Sequence, residues 1–182
     1  MKIVYKGKTK SGKNILVRYP KIGDLKKLLD YINILSDEKT FISYQGEHED
    51  LKSEGKWLKG ELKDIKNKKT AYLLVFCGEN LIGSCAIHLG DKVAKHVGEF
   101  GITIAKDFRG DGLGKLLMNL VMTEAKKELS KLKIVTLEVY STNDIARSLY
   151  KKIGFVEYGS LPDGLFRKNS FEDSVLMYKK VD

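Results

Sequence analysis

The run RGDGLGK, Arg109–Lys115, lies between an alternating, strand-like segment, Phe100–Ala105, and an amphipathic helical segment that begins near Gly112. Gly110, Gly112 and Gly114 let successive backbone N–H groups turn toward one point at low steric cost. A helix start adds unpaired donors and the positive end of the helix dipole. The run therefore reads as a cradle for an anion the size of a pyrophosphate. It lacks the Lys-Ser/Thr ending of a Walker loop and the GxGxxG spacing of a dinucleotide fold. The lesser alternative, taken on the run alone, is a glycine-rich turn with no ligand.

On the carboxyl side, Leu113, Leu116, Leu117, Leu120 and Val121 recur at helical spacing, and KIVTLEVY, Lys133–Tyr140, follows as a strand. A crossover of that length predicts a β-α-β unit with parallel flanking strands. On the amino side, AYLLVFC, LIGSCAIHL and HVGEFGITIA form three strands joined by short turns, an antiparallel meander. A helical stretch near Trp57, Leu58, Leu62 and Ile65 precedes them. Before it comes a helix from about Asp24 whose stripe is Leu25, Leu28, Leu29, Ile32 and Leu35. Residues 1–20 read as an amino-terminal hairpin of MKIVYK and NILVRYP. The expected fold class is α+β in one domain over 1–182: a mixed, mostly antiparallel central sheet with one parallel step and helices on both faces.

A chain of 182 residues with 42% hydrophobic content suits one domain with a real core. No apolar run reaches the roughly 18 residues that span a bilayer, and the amino terminus has no signal-peptide core, so a soluble cytoplasmic protein is expected. Cys77 and Cys85 flank a turn at Gly78-Glu79-Asn80 and read as reduced thiols. His48, His88 and His96 do not stand at zinc-ligand spacing with them, and no metal is expected. The net charge is +9, yet 29 of the 33 basic residues are lysines spread over the chain, which argues against a nucleic-acid reader. Residues 36–55 invert that charge, with Asp37, Glu38, Glu47, Glu49, Asp50 and Glu54 against Lys39 and Lys52. The segment is either an acidic patch for a cationic partner or an ordinary solvated loop.

The stretch STNDIARSLYKKIGF, Ser141–Phe155, predicts a helix that starts at Asn143 or Asp144 under good capping chemistry. Ile145, Leu149 and Ile153 then form its core stripe, with Asn143, Ala146 and Tyr150 on the neighbouring face. On spacing alone Tyr150 is a half-buried packing tyrosine with its hydroxyl bonded to backbone.

These two blocks, an Arg-x-x-Gly-x-Gly loop after a strand and then LEVYSTNDIARSLYKKIGF, resemble the GNAT superfamily of acetyl-CoA-dependent N-acetyltransferases. The likeness runs over roughly Leu73–Tyr178, and the first seventy residues match only in outline. The tail GLFRKNSFEDSVLMYK is similar to the branch with spermidine, amino-acid and ribosomal-protein-terminus acetyltransferases. The resemblance implies that backbone groups of Ile102, Thr103 and Ile104 align the pantetheine arm of acetyl-CoA. It implies that Arg109, Gly110, Asp111, Gly112, Leu113, Gly114 and Lys115 hold the pyrophosphate, with Arg109 and Lys115 adding charge at the rim. Asn143 would bond the pantetheine region and Ala146 would let it lie against the helix. Tyr150 would protonate the departing thiolate as general acid or orient the thioester. Glu99 is the first candidate for proton acceptor, through water, or for binding a cationic acceptor; His96 is the second.

The implied reaction is direct attack of a primary amine on the thioester, without a covalent enzyme intermediate. The acceptor is a small cationic amine, an amino acid or a protein amino terminus, and residues 21–70 form the acceptor side. A non-catalytic acetyl-CoA sensor and a basic nucleic-acid-binding domain are the rival readings. The sequence does not fix the oligomeric state; a homodimer is one possibility, since dimers are common among the proteins it resembles.

Overall fold

The computed structural model describes residues 2–181. A hairpin of β1 (Ile3–Lys8) and β2 (Asn14–Arg18) leads to α1 (Leu25–Asp37), an irregular loop over residues 39–49, and α2 (Leu51–Lys66). The meander is β3 (Thr70–Cys77), β4 (Asn80–Leu89) and β5 (Val97–Ile104). The glycine run then feeds α3 (Leu113–Glu128), followed by β6 (Ile134–Tyr140), α4 (Asp144–Ile153), β7 (Val156–Arg167) and β8 (Ser170–Lys180). All eight strands form one sheet in the order β1-β2-β3-β4-β5-β6-β8-β7, and every pair is antiparallel except β5 with β6. Among the described residues no helix is long and apolar enough to cross a membrane.

Each face of the sheet buries its own core. Helix α3 places Leu113, Leu117, Met118, Val121 and Ala125 against Val75, Ile87, Phe100 and Val135. On the other face Leu28 of α1 and Leu58 of α2 pack on Tyr72, Leu74, Phe76 and Ala86. The entry into α1 is fixed by a buried bidentate pair, with the Arg18 guanidinium donating at 2.7 Å to both carboxylate oxygens of Asp24. The 39–49 loop is tied back to α1: the Asn33 amide donates to the Glu49 carbonyl and accepts from the Glu49 N–H, and the Ser36 hydroxyl donates to the Glu47 carbonyl.

Three features depart from the sequence reading. Helix α2 begins at Leu51, earlier than the Trp57 stripe suggests, because the Asp50 carboxylate accepts from the N–H groups of Lys52 and Ser53 and caps it there. Ile145 is 87% exposed, so it is no part of the core stripe of α4. The buried arc of that short helix runs through Ala146, Leu149, Tyr150 and Ile153, the i, i+3, i+4, i+7 set one residue further on. Lastly, the tail forms two long strands, and β8 returns to lie between β6 and β7. The two cysteines sit apart on the ladder, Cys77 opposite Asn80 and Cys85 opposite Leu73, and both thiols are free.

Candidate active site

The parallel ladder between β5 and β6 is short. Val97, Gly98 and Glu99 pair with Ile134, Val135 and Thr136, and beyond them the strands separate. Strand β5 continues on β4 as far as Ile104, while β6 continues on β8 as far as Tyr140. The Thr103 carbonyl lies on the β4 side, close to Gly83, so the alternation of the strand turns the backbone polar groups of Phe100, Ile102 and Ile104 into the gap. Arg109 occupies one of them, its Nε donating to the Ile104 carbonyl at 2.8 Å. The Phe100 N–H serves the last rung, opposite Thr136, but its carbonyl and the polar groups of Ile102 lie beyond the described ladder, an edge that requires polar company.

A cavity of about 490 Å³ fills this gap, walled by β5, by Glu138, Val139 and Tyr140 of β6, and by Asn143 and Tyr150 of α4. Phe41 and Ile42 of the 39–49 loop and Leu165 and Phe166 of β7 close its rim. Tyr150 is held from two sides. Gly154 adopts φ +95°, which ends α4 and returns Phe155 beneath the Tyr150 ring at 6.1 Å between centroids. Phe100 meets the same ring edge-on at 6.1 Å. Burial pushes the Tyr150 phenol up to about 12. Its hydroxyl makes no hydrogen bond to a protein group among the described residues, contrary to the backbone bond that spacing alone suggests.

Glu99 shares the cavity with Tyr150 but not its face of the strand. Residues 99, 101 and 103 look toward α1, where the Thr103 hydroxyl shares 3.0 Å hydrogen bonds with Tyr31 and Ser84. Phe100, one residue on, packs with Tyr150 on the opposite face. His96 is not brought to the site; its carbonyl accepts from Lys133 and Ile134 at the far end of the ladder.

At the glycine run, each position has its own reason. Gly110 and Gly112 have φ of +77° and +82°, a conformation that other residues adopt only with strain. Gly112 is the N-cap of α3, which leaves the N–H groups of the first turn without a side-chain cap. Gly114 serves packing instead: a Cβ there would come within 3.0 Å of the Leu149 side chain, so its smallness lets α3 approach α4. Leu113 is buried in the core and offers only backbone. The Asp111 carboxylate accepts from the Ser11 N–H at 2.7 Å and the Ser11 hydroxyl at 2.6 Å, clamping the loop to the β1–β2 turn.

The Arg109 guanidinium is already engaged, pairing with Glu38 at 2.5 Å as well as bonding the Ile104 carbonyl. Lys115 is exposed. A second cation, Lys10, lays its side chain across Gly112, 3.0 Å from where a Cβ would stand. No spacing in the sequence links Lys10 to the loop. The Asn143 side chain accepts from the Ala146 N–H at 3.2 Å, so its first duty is to cap α4.

A second cavity, of about 420 Å³, lies on the other face between α1, α2, β4 and β5. It meets the first at Gly101, Ile102 and Thr103, which line both. Glu54 of α2 and Glu49 of the loop reach it, with Tyr44, Trp57, Tyr72 and His88. Burial, and then the nearby Glu49, push the Glu54 carboxyl up to about 7. The hydroxyls of Ser53 and Tyr44 hold Glu49 below its ordinary range. His88 bonds Glu61 at 3.0 Å; burial opposes its charged form, but Glu61 outweighs that and raises its pKa.

The open edge of β5 and Tyr150 thus share one cavity, while the uncapped start of α3 lies outside its lining. A Bacillus subtilis (strain 168) protein named "Putative ribosomal N-acetyltransferase YdaF" is 32% identical over 96 residues, 53% of this chain and 51% of that one, so the chain spans about half the length of the curated relative it matches. A GNAT-family acetyltransferase structure from Streptococcus pneumoniae superposes with a TM-score of 0.84 at 27% identity, covering 92% of this chain and 99% of that one. The structure of yncA from Salmonella typhimurium with its cofactor acetyl-CoA has the same fold, with a TM-score of 0.79 at 15% identity over 92% of this chain and 94% of that one. The model of the Acetyltransferase (GNAT) family matches residues 29–155, and the chain belongs to that family.

Proposed function

We propose that this protein transfers an acetyl group from acetyl-CoA to a primary amine, in the gap between β5 and β6. The observation that carries the reading is the open edge of β5 around Ile102, facing a cavity in which the Tyr150 hydroxyl has no protein partner among the described residues. Bound there, acetyl-CoA supplies an acetyl group activated as a thioester.

The chain's own groups then divide the work. The backbone of Ile102 holds the arm by strand-like hydrogen bonds, and the first-turn N–H groups of α3, with Lys115 and Lys10 beside them, hold the phosphates. Ala146, in the first turn of α4, offers the arm a small side chain to lie against. Tyr150, protonated at neutral pH, donates to the leaving sulfur. Glu99, on the acceptor face of the strand, accepts the amine's proton directly or through water. The donor and acceptor of protons thus stand on opposite faces of β5, and the splay lets the two faces meet.

The acceptor enters from the Glu54 side, where the carboxylates favour a cation. A protein amino terminus, as the name of the Bacillus subtilis relative suggests, and a small amine both satisfy that description. The test is acetyl-CoA-dependent thiol release, read with a thiol-reactive dye, across spermidine, amino acids, amino-acid amides and short peptides. Turnover with one class is expected. Tight CoA binding without thiol release from any acceptor would contradict the enzyme reading and favour a sensor.

A further inference from the structure

Among the described residues the buried carboxylates are paired, with one exception. Asp24 is held by Arg18, Glu61 by His88, and Glu124 by Lys2 and the Tyr19 hydroxyl. Glu54 is 6% exposed and has neither an ion pair nor a hydrogen bond to its side chain among the described residues. A largely buried carboxylate without a partner is costly and calls for an explanation, and a ligand that enters from the cavity would complete this one. Glu54 lines the 420 Å³ cavity, with Glu49 near enough to repel its charge. No lysine or arginine lines that cavity, and its one cationic candidate, His88, is engaged by Glu61. The rest of the wall carries no charge: it is apolar and aromatic, with the hydroxyls of Ser53, Ser84 and Thr103, and Trp57 and Tyr72 meet edge-to-face at 5.8 Å.

We propose that Glu54, seconded by Glu49, is the ammonium seat of the acceptor, and that the cavity takes a primary amine on an uncharged arm while rejecting an amine with a carboxylate beside it. The proposal rests on the acetyltransferase reading for what happens to the amine next, but the seat is a matter of binding alone. A cation between two carboxylates and two rings gains charge complementarity and cation–π attraction. A zwitterionic amino acid would bring its own carboxylate into a pocket with two anions and no free cation. Gly101 leaves the way open to the acyl gap, since a Cβ there would meet nothing within 4 Å. The required chemistry belongs equally to a small arylalkylamine and to a peptide amino terminus, whose α-carboxyl is an amide.

The test is calorimetric binding of four probes to the CoA-saturated protein: 2-phenylethylamine, phenylalaninamide, phenylalanine and a tripeptide that begins with phenylalanine. The amine and the amide are expected to bind about tenfold or more tightly than phenylalanine, and Glu54→Gln to erase that preference. Glu49→Gln is expected to reduce it in part, which guards against a folding defect in a single variant. Tripeptide binding that matches the amide assigns the source to chain termini; binding of the small amines alone assigns it to free amines. Phenylalanine bound as tightly as its amide, binding of neither, or a preference that survives Glu54→Gln overturns the seat. Thiol release on the same panel reports separately: a binding preference without release contradicts the transferase reading and leaves the seat intact.

Discussion

Glu54 carries a cost that the rest of the protein does not need. Its carboxyl is raised to about 7 from an ordinary 4.5, so the folded state holds this proton more tightly than the unfolded chain. The contribution to stability is fully present below pH 4.5 and is lost as pH rises through about 7. The groups facing it are Glu49 and Tyr44 from the loop, Tyr31 from α1, Tyr72 from β3, and His88 from β4 with its partner Glu61. Glu54→Gln is therefore expected to be more stable than the wild type above pH 7, by up to roughly 3 kcal/mol, and to lose that advantage near pH 4.5. Urea midpoints across that range check the sign. Glu99 and His96, both named from sequence, part company at this scale. Glu99→Gln is expected to lower kcat/KM by about 10²-fold or more, whereas His96→Ala leaves it within about twofold, because His96 reaches neither cavity. Steady-state kinetics on the two variants decide this. The isolation of Glu54 was not legible in the sequence, where it is one of six acidic residues in a polar stretch. Pairing is a tertiary property, and only the approach of α1, α2 and β4 reveals which carboxylate has none.

Strand β5 is the element on which both cavities depend, and Gly101 is its thinnest point. A Cβ there would meet nothing within 4 Å and would face the 420 Å³ cavity, so Gly101→Val is expected to occupy cavity space rather than displace the core. The expected result is stability within about 0.5 kcal/mol of wild type, because a β-branched residue suits a strand, with a KM for the amine raised at least about tenfold. CoA affinity is expected to hold. Elements with a strong period were legible: the meander, α3 and the parallel step to β6 all follow from alternation or a stripe. Strand β7 was not, because nearly every residue from Val156 to Gly164 is exposed and Gly159, Pro162 and Gly164 break its pattern. The separation of β5 from β6 was equally hidden, since neither strand's own sequence records where a neighbour leaves it. In the glycine run the conformation was foreseen, but Gly114 answers to Leu149, and Arg109 to Glu38 and Ile104. Lys10 joins the loop only through the β1–β2 turn, a hundred residues away in sequence.

At the scale of the whole molecule, the proposed CoA site, which joins the β1–β2 turn, α3, α4 and β5, would couple ligand binding to the stability of the entire sheet. CoA at about 100 times its Kd is expected to add roughly 2.7 kcal/mol, a rise in Tm of about 5–10 °C for a chain of this size. Differential scanning fluorimetry measures it, and the absence of any rise would remove the cofactor argument. The +9 net charge adds attraction for a polyanionic ligand, so that affinity is expected to fall as salt is raised. The central claim is that acetyl transfer occurs in the β5–β6 gap with Tyr150 as proton donor. Mass analysis of an acceptor amine, incubated with acetyl-CoA and either wild type or Tyr150→Phe, tests it most directly. One added acetyl group is expected with the wild type, a rate lower by about 10²-fold or more with Tyr150→Phe, and CoA affinity unchanged between the two. An unmodified acceptor with the wild type, or equal rates for both proteins, would contradict it.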